Sequence, residues 1–115
     1  MKTIEQILED NEFNVTPIEG GSMFCYEINR YTPAGEDWHF YVSSLTEIVE
    51  YAENFDPDDE MEMWCEAKHC GTKHMRESIP GYGELWKEQL WKQKILKRVA
   101  NRIRRTKEWQ NIENA

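Results

Sequence analysis

The chain has 115 residues, a formal net charge of −8, 39% hydrophobic and 12% aromatic residues. This is one domain's length, and the aromatic content is too high for a disordered chain despite the 31% charged residues. No apolar run approaches the roughly 18 residues of a membrane span, and the opening MKTIEQILED has acids where a secretory signal needs apolar residues.

Three cysteines without a secretion signal fit a reducing compartment, so a cytoplasmic location is expected. Charge is divided along the chain. Residues 1–62 hold sixteen acids against only Lys2 and Arg30, whereas residues 84–115 hold nine bases and four acids. Such a split bears on partners and solubility rather than on fold.

Thr3 and Gln6 have the spacing of a capping box, and Ile4, Ile7 and Leu8 supply the apolar face of a short helix ending near Asn11. After Gly20-Gly21, Ser22–Tyr31 reads as a strand and Asp37–Ser43 as its hairpin partner. The turn between them is Thr32-Pro33-Ala34-Gly35-Glu36. Phe13–Ile18 is a candidate third strand. Alternation along DWHFYVS puts Trp38 and Phe40 on one face and His39 on the other.

Ser44 and Glu47 suggest a second capping box, opening a helix over Leu45–Phe55 whose apolar residues recur at three and four. Asp56-Pro57 restarts a helix, with Asp as N-cap and Pro at the first position. Met61, Trp64 and Cys65 would face inward from this helix, and Gly71 would stop it. A loop follows to Gly83. The last helix should run from about Glu84 to Lys107, with Trp91, Ile95, Val99 and Ile103 at successive four-residue steps and Glu88–Lys92 as a favourable pair.

The expected class is α+β: a small antiparallel hairpin or three-stranded sheet packed against helices, with a long C-terminal helix. Within a single domain, residues 1–43 form helix plus hairpin, 44–70 an acidic helical pair, 71–83 a loop and 84–110 a basic helix.

Cys65, His69, Cys70 and His74 have the donor types of a tetrahedral zinc site, but adjacent His69 and Cys70 diverge by about 100° on a helix. Ligand pairs in zinc fingers are also separated by a longer loop than this one. No metal or cofactor is expected. The carboxylates near Pro57 lack the central glycine of a calcium loop and suit the positive end of a helix instead. No nucleophile elbow, phosphate-binding glycine loop or dinucleotide fingerprint is present, so a non-enzymatic role is expected.

Two charged surfaces remain. Glu47, Glu50, Glu53, Asp56, Asp58, Asp59, Glu60 and Glu62 fall on the two middle helices, whose apolar residues must point inward. A row of outward carboxylates presents a field like a phosphate backbone and would attract a basic groove. On the last helix, Lys94, Arg98, Arg102 and Arg105 could neutralise phosphates, with Trp or Tyr available to stack bases. Direct nucleic-acid binding ranks second, because the rest of the chain is acidic and cations also suit a helix C-terminus. Solvation alone can account for either charged face.

The segments GEDWHFYV (Gly35–Val42) and EIVEYAENFDPDDEMEMWCEA (Glu47–Ala67) resemble a family of small, mostly uncharacterised bacterial proteins of phages and mobile elements. In that family a G-E-D-W strand leads to an acidic helix, an F-D-P-D cap and an E-M-W helix. Here these are Gly35-Glu36-Asp37-Trp38, Phe55-Asp56-Pro57-Asp58 and Glu62-Met63-Trp64, about a third of the chain being covered. The Cys/His cluster and the basic tail depart from the family pattern.

The resemblance implies a mobile-element setting. By analogy it suggests an anti-defence role, as in anti-restriction or anti-CRISPR proteins that occupy a nucleic-acid groove. The expected function is inhibition of a basic nucleic-acid-binding protein of bacterial defence through the acidic face. The alternative is a regulatory nucleic-acid-binding protein using the basic helix. Oligomeric state is open.

Overall fold

The computed structural model describes residues 2–20, 23–68 and 80–113, apart from the side chains of 65–68 and 113. Helix α1 (Ile4–Asp10) opens with the expected capping box: Thr3 Oγ1 accepts from the Gln6 N–H at 3.2 Å, and Gln6 Oε1 accepts from the Thr3 N–H at 2.9 Å. It closes in a Schellman turn, with the Phe13 N–H donating to Leu8 O and the Glu12 N–H to Glu9 O. Glu12 takes the left-handed conformation (φ 68°) that glycine normally fills there.

Strands β1 (Asn14–Pro17), β2 (Tyr26–Tyr31) and β3 (Asp37–Val42) form one antiparallel sheet in the order β1-β2-β3. The third strand is therefore present, and the α+β class holds. Strand β2 is shorter than the expected Ser22–Tyr31. Register pairs Ile28 with Phe40 and Tyr26 with Val42 on one face, and Asn29 with His39 on the other. Trp38, Phe40 and Val42 are buried, whereas Asp37, His39 and Tyr41 are exposed. In the β2–β3 turn, Gly35 (φ 86°) donates its N–H to Thr32 O at 2.8 Å, the positive-φ step that Pro33-Ala34-Gly35 predicts.

Helix α2 runs Glu47–Asn54, shorter than the expected Leu45–Phe55. The Ser44 capping box does not form. Thr46 stands at the N-cap without a side-chain capping bond, its hydroxyl meeting that of Ser44 at 2.6 Å, and Glu47 Oε2 instead accepts the Ser43 N–H at 3.0 Å. The acid at Glu47 thus caps one residue further upstream than the pattern implied. Helix α3 (Pro57–Lys68) starts as expected, with Asp56 Oδ1 accepting the Asp58 N–H at 2.9 Å.

The C-terminal helix is not continuous to Lys107 or residue 110. Helix α4 spans Tyr82–Ile103, and a second helix, α5, spans Lys107–Glu113. The break belongs to Thr106, which is buried. Its hydroxyl donates to Ile103 O at 2.6 Å and accepts the Trp109 N–H at 3.2 Å, closing one helix and capping the next.

One contiguous core joins the layers. Ile4, Ile7 and Leu8 of α1, Ile28, Trp38, Phe40 and Val42 of the sheet, and Ile48, Val49 and Ala52 of α2 meet Ile95, Leu96, Val99, Ala100 and Ile103 of α4. Helix α4 is the spine, since α1, α2 and α3 all pack on it. The outer sheet face carries the exposed His39 and Tyr41 in edge contact. No helix among the described residues is long and apolar enough to cross a membrane.

Candidate interaction surfaces

The inward stripe Ile48, Val49, Ala52 and Phe55 turns the acids of α2 outward, and Met61 does the same for α3. Glu47, Glu50, Glu53, Asp56, Asp58, Asp59 and Glu62 are exposed, whereas Glu60 is half-buried. These carboxylates are not equivalent. Glu47 and Asp56 serve as caps, and Glu53 Oε1 pairs with Arg104 Nη2 at 2.5 Å. Glu50, Asp58 and Asp59 enter no ion pair among the described residues. They are the part of the acidic face with charge still to offer.

Glu60 turns into a cleft of about 240 Å³ between the start of β3, the end of α2 and α4, together with Glu36, Trp38, Tyr51 and Lys92. Burial first, then the neighbouring Glu36 and Asp59 carboxylates, holds its carboxyl above the usual range, while Lys92 opposes the shift. Burial likewise raises the Tyr51 phenol, whose oxygen accepts the Trp38 Nε1–H at 3.4 Å.

A carboxyl raised in the fold contributes most below its ordinary value of 4.5, and that contribution is lost as pH climbs through the raised value. Glu60→Gln should therefore be slightly more stable than the parent at neutral pH, by less than about 1 kcal/mol for a half-solvated group. That advantage should vanish near pH 4. Urea denaturation at both pH values checks it.

Behind this cleft lies a polar latch that pattern reading misses. Glu88 and Lys92 do not pair with one another on a solvent face; both are buried and turn toward the β2–β3 turn. The Thr32 hydroxyl donates to Glu88 Oε1, and Lys92 Nζ reaches Glu36 Oε2 at 3.2 Å while lying 5.3 Å from the Trp38 ring centroid. Arg30, on the inner phase of β2, also points inward. It donates to Asn11 O at 2.6 Å and Glu12 Oε2 at 3.1 Å, and covers the Trp91 ring at 4.7 Å. The signal was the phase of the periodicity: Arg30 keeps step with Ile28, and Glu88 and Lys92 with Ile95, Leu96 and Val99.

The four bases singled out on the last helix, Lys94, Arg98, Arg102 and Arg105, are all exposed. Of the aromatics suggested as stacking platforms, Trp91 lies beneath Arg30 and against Trp38 at 6.1 Å and Trp109 packs on the core, whereas Trp86, half-buried, sits one turn before Leu90 on the same side as Lys94 and Lys97. The Cys65/His69/Cys70/His74 cluster lies outside the described side chains, as does the predicted stop at Gly71. Among the described residues no group of His, Cys, Asp and Glu could hold a metal ion. No family model, curated protein or solved structure matches this chain.

Proposed function

We propose that this is a non-enzymatic binding protein of a phage or mobile element that inhibits a nucleic-acid-binding protein of bacterial defence. The acidic face of α2 and α3 occupies the basic surface where the nucleic acid would lie. The observation that carries this reading is the outward set Glu50, Asp58 and Asp59. They are exposed and unpaired among the described residues, and they are held on helices anchored by Ile48, Val49, Ala52 and Met61.

Carboxylates so placed steer a cationic partner at long range. Glu47 and Asp56, engaged as caps, lie exposed beside them.

Changing Glu50, Asp58 and Asp59 together to lysine should weaken partner binding more than about 100-fold, since like charges then face each other. Asp58 and Asp59 also complement the α3 N-terminus, so a neutral Glu50→Gln, Asp58→Asn, Asp59→Asn variant controls for helix stability. It should show intermediate affinity. Retention of full affinity by the lysine variant, with helix content intact by circular dichroism, would remove the reading.

A further inference from the structure

The outward face of α4 carries a second surface of opposite sign. Lys87, Lys94, Lys97, Arg98, Arg102 and Arg105 are exposed, and none forms an ion pair among the described residues. Spacings of seven, four and four from Lys87 to Arg102 hold four of them on one face of α4, with Lys97 beside it and Arg105 in the turn that follows. From Lys87 to Arg102 the row runs roughly 22 Å along the axis.

A merely solvated helix face interleaves acids with bases, because pairs at i, i+4 stabilise it. Here the acid that would do so, Glu88, is buried against Thr32, and no other acid lies between Glu84 and Glu108. Complementing the helix dipole accounts for Arg102, the base in the last turn. It does not account for Lys87, Lys94, Lys97 or Arg98, because the effect fades within one turn. The acids of the other faces lower the net charge, but a screening length of about 8 Å at physiological salt confines their influence.

We propose that this stripe is a docking surface for the phosphate backbone of duplex nucleic acid, read without regard to sequence. A straight row of cations matches the regular phosphate spacing of a duplex. Single strands are favoured by surfaces that add a run of exposed stacking rings; here Leu90 and Asn101 sit between the bases, and the one ring on this side of α4, Trp86, is half-buried at its start. An anionic membrane would need an apolar stripe to insert, and Leu90 is the lone large apolar side chain there. A groove of about 250 Å³ bounded by Lys2, Ile7, Arg102, Arg105 and Thr106 continues the surface past the end of α4. The charge of Lys2 is already engaged by Asp10.

The test is fluorescence anisotropy with a labelled mixed-sequence DNA duplex of about 20 base pairs, the matching single strand, and anionic phospholipid vesicles. The full chain should bind the duplex with micromolar affinity at low salt and lose about 100-fold between roughly 50 and 200 mM salt, as some four phosphate contacts require. Changing Lys94, Arg98, Arg102 and Arg105 to alanine keeps helix propensity; it should abolish duplex binding with the circular dichroism spectrum unchanged. The Glu50/Asp58/Asp59 lysine variant should bind the duplex at least as tightly as the parent, which separates this surface from the acidic one. No duplex binding at low salt, equal binding by the alanine variant, or tighter binding to the single strand or the vesicles would overturn the proposal.

Discussion

Replacing Trp38 by alanine should cost roughly 3–5 kcal/mol, a large share of the stability of a domain this size. Its ring is the junction of the core. It meets Phe13 edge-on at 5.5 Å, Phe40 at 5.9 Å, Trp91 at 6.1 Å and Phe55 at 6.5 Å. Strand, α1–β1 turn, α2 end and α4 therefore all lose a neighbour at once, and these rigid elements cannot close together over the space. The Tyr51 hydroxyl also loses the indole N–H. Thermal unfolding should fall by about 10–20 °C. Tyr41→Ala, on the outer face of the same strand, should cost less than about 1 kcal/mol. A similar loss at both positions would contradict the register.

Lys92→Met should destabilise the fold by about 1–3 kcal/mol although methionine is the more apolar residue. Methionine can follow the lysine stem, so packing is largely kept. What disappears is the ammonium, and with it the contact to Glu36 at 3.2 Å and the attraction to the Trp38 ring. The Glu36 carboxylate, about half exposed, is left to water, so the loss is that of the charge-assisted contact itself. Glu60 loses the one neighbour that lowers its carboxyl, so its pKa should rise further. Adding Glu36→Gln should recover part of the loss, with a coupling of about 0.5–2 kcal/mol in the double-mutant cycle. A neutral or stabilising Lys92→Met would mean that burying this amine is a net cost.

These two residues mark how far the fold was legible. Trp38 was visible because alternation over Asp37–Val42 is local, and a strand buried on one face must repeat every second residue. Thr3–Gln6 and Asp56-Pro57 were visible for the same reason: a cap is made within a few residues of itself. Lys92 was not, since its partner Glu36 lies 56 positions away and a lysine on an amphipathic helix resembles a surface residue.

The break at Thr106 escaped because apolar periodicity continues to Ile103 and no glycine or proline follows. A threonine before Lys107–Glu113 was the one available signal. On the candidate surfaces, periodicity placed the four bases and every acid but Glu60 outward. It could not show that Arg104 takes up Glu53 or that Glu60 leans into the cleft, since those depend on how α2 and α3 meet α4.

The most direct trial of the inhibitor reading is capture from a bacterial lysate on the immobilised full chain, washed with low and then high salt. A DNA- or RNA-binding protein should be retained at about 50 mM salt and released near 500 mM, where charges beyond about 4 Å are screened. It should be missing from beads bearing lysine at positions 50, 58 and 59, and retained by the chain whose α4 stripe is alanine. Retention that ignores salt, or that is equal on the lysine-bearing beads, would contradict a negative surface as the element that grips the partner.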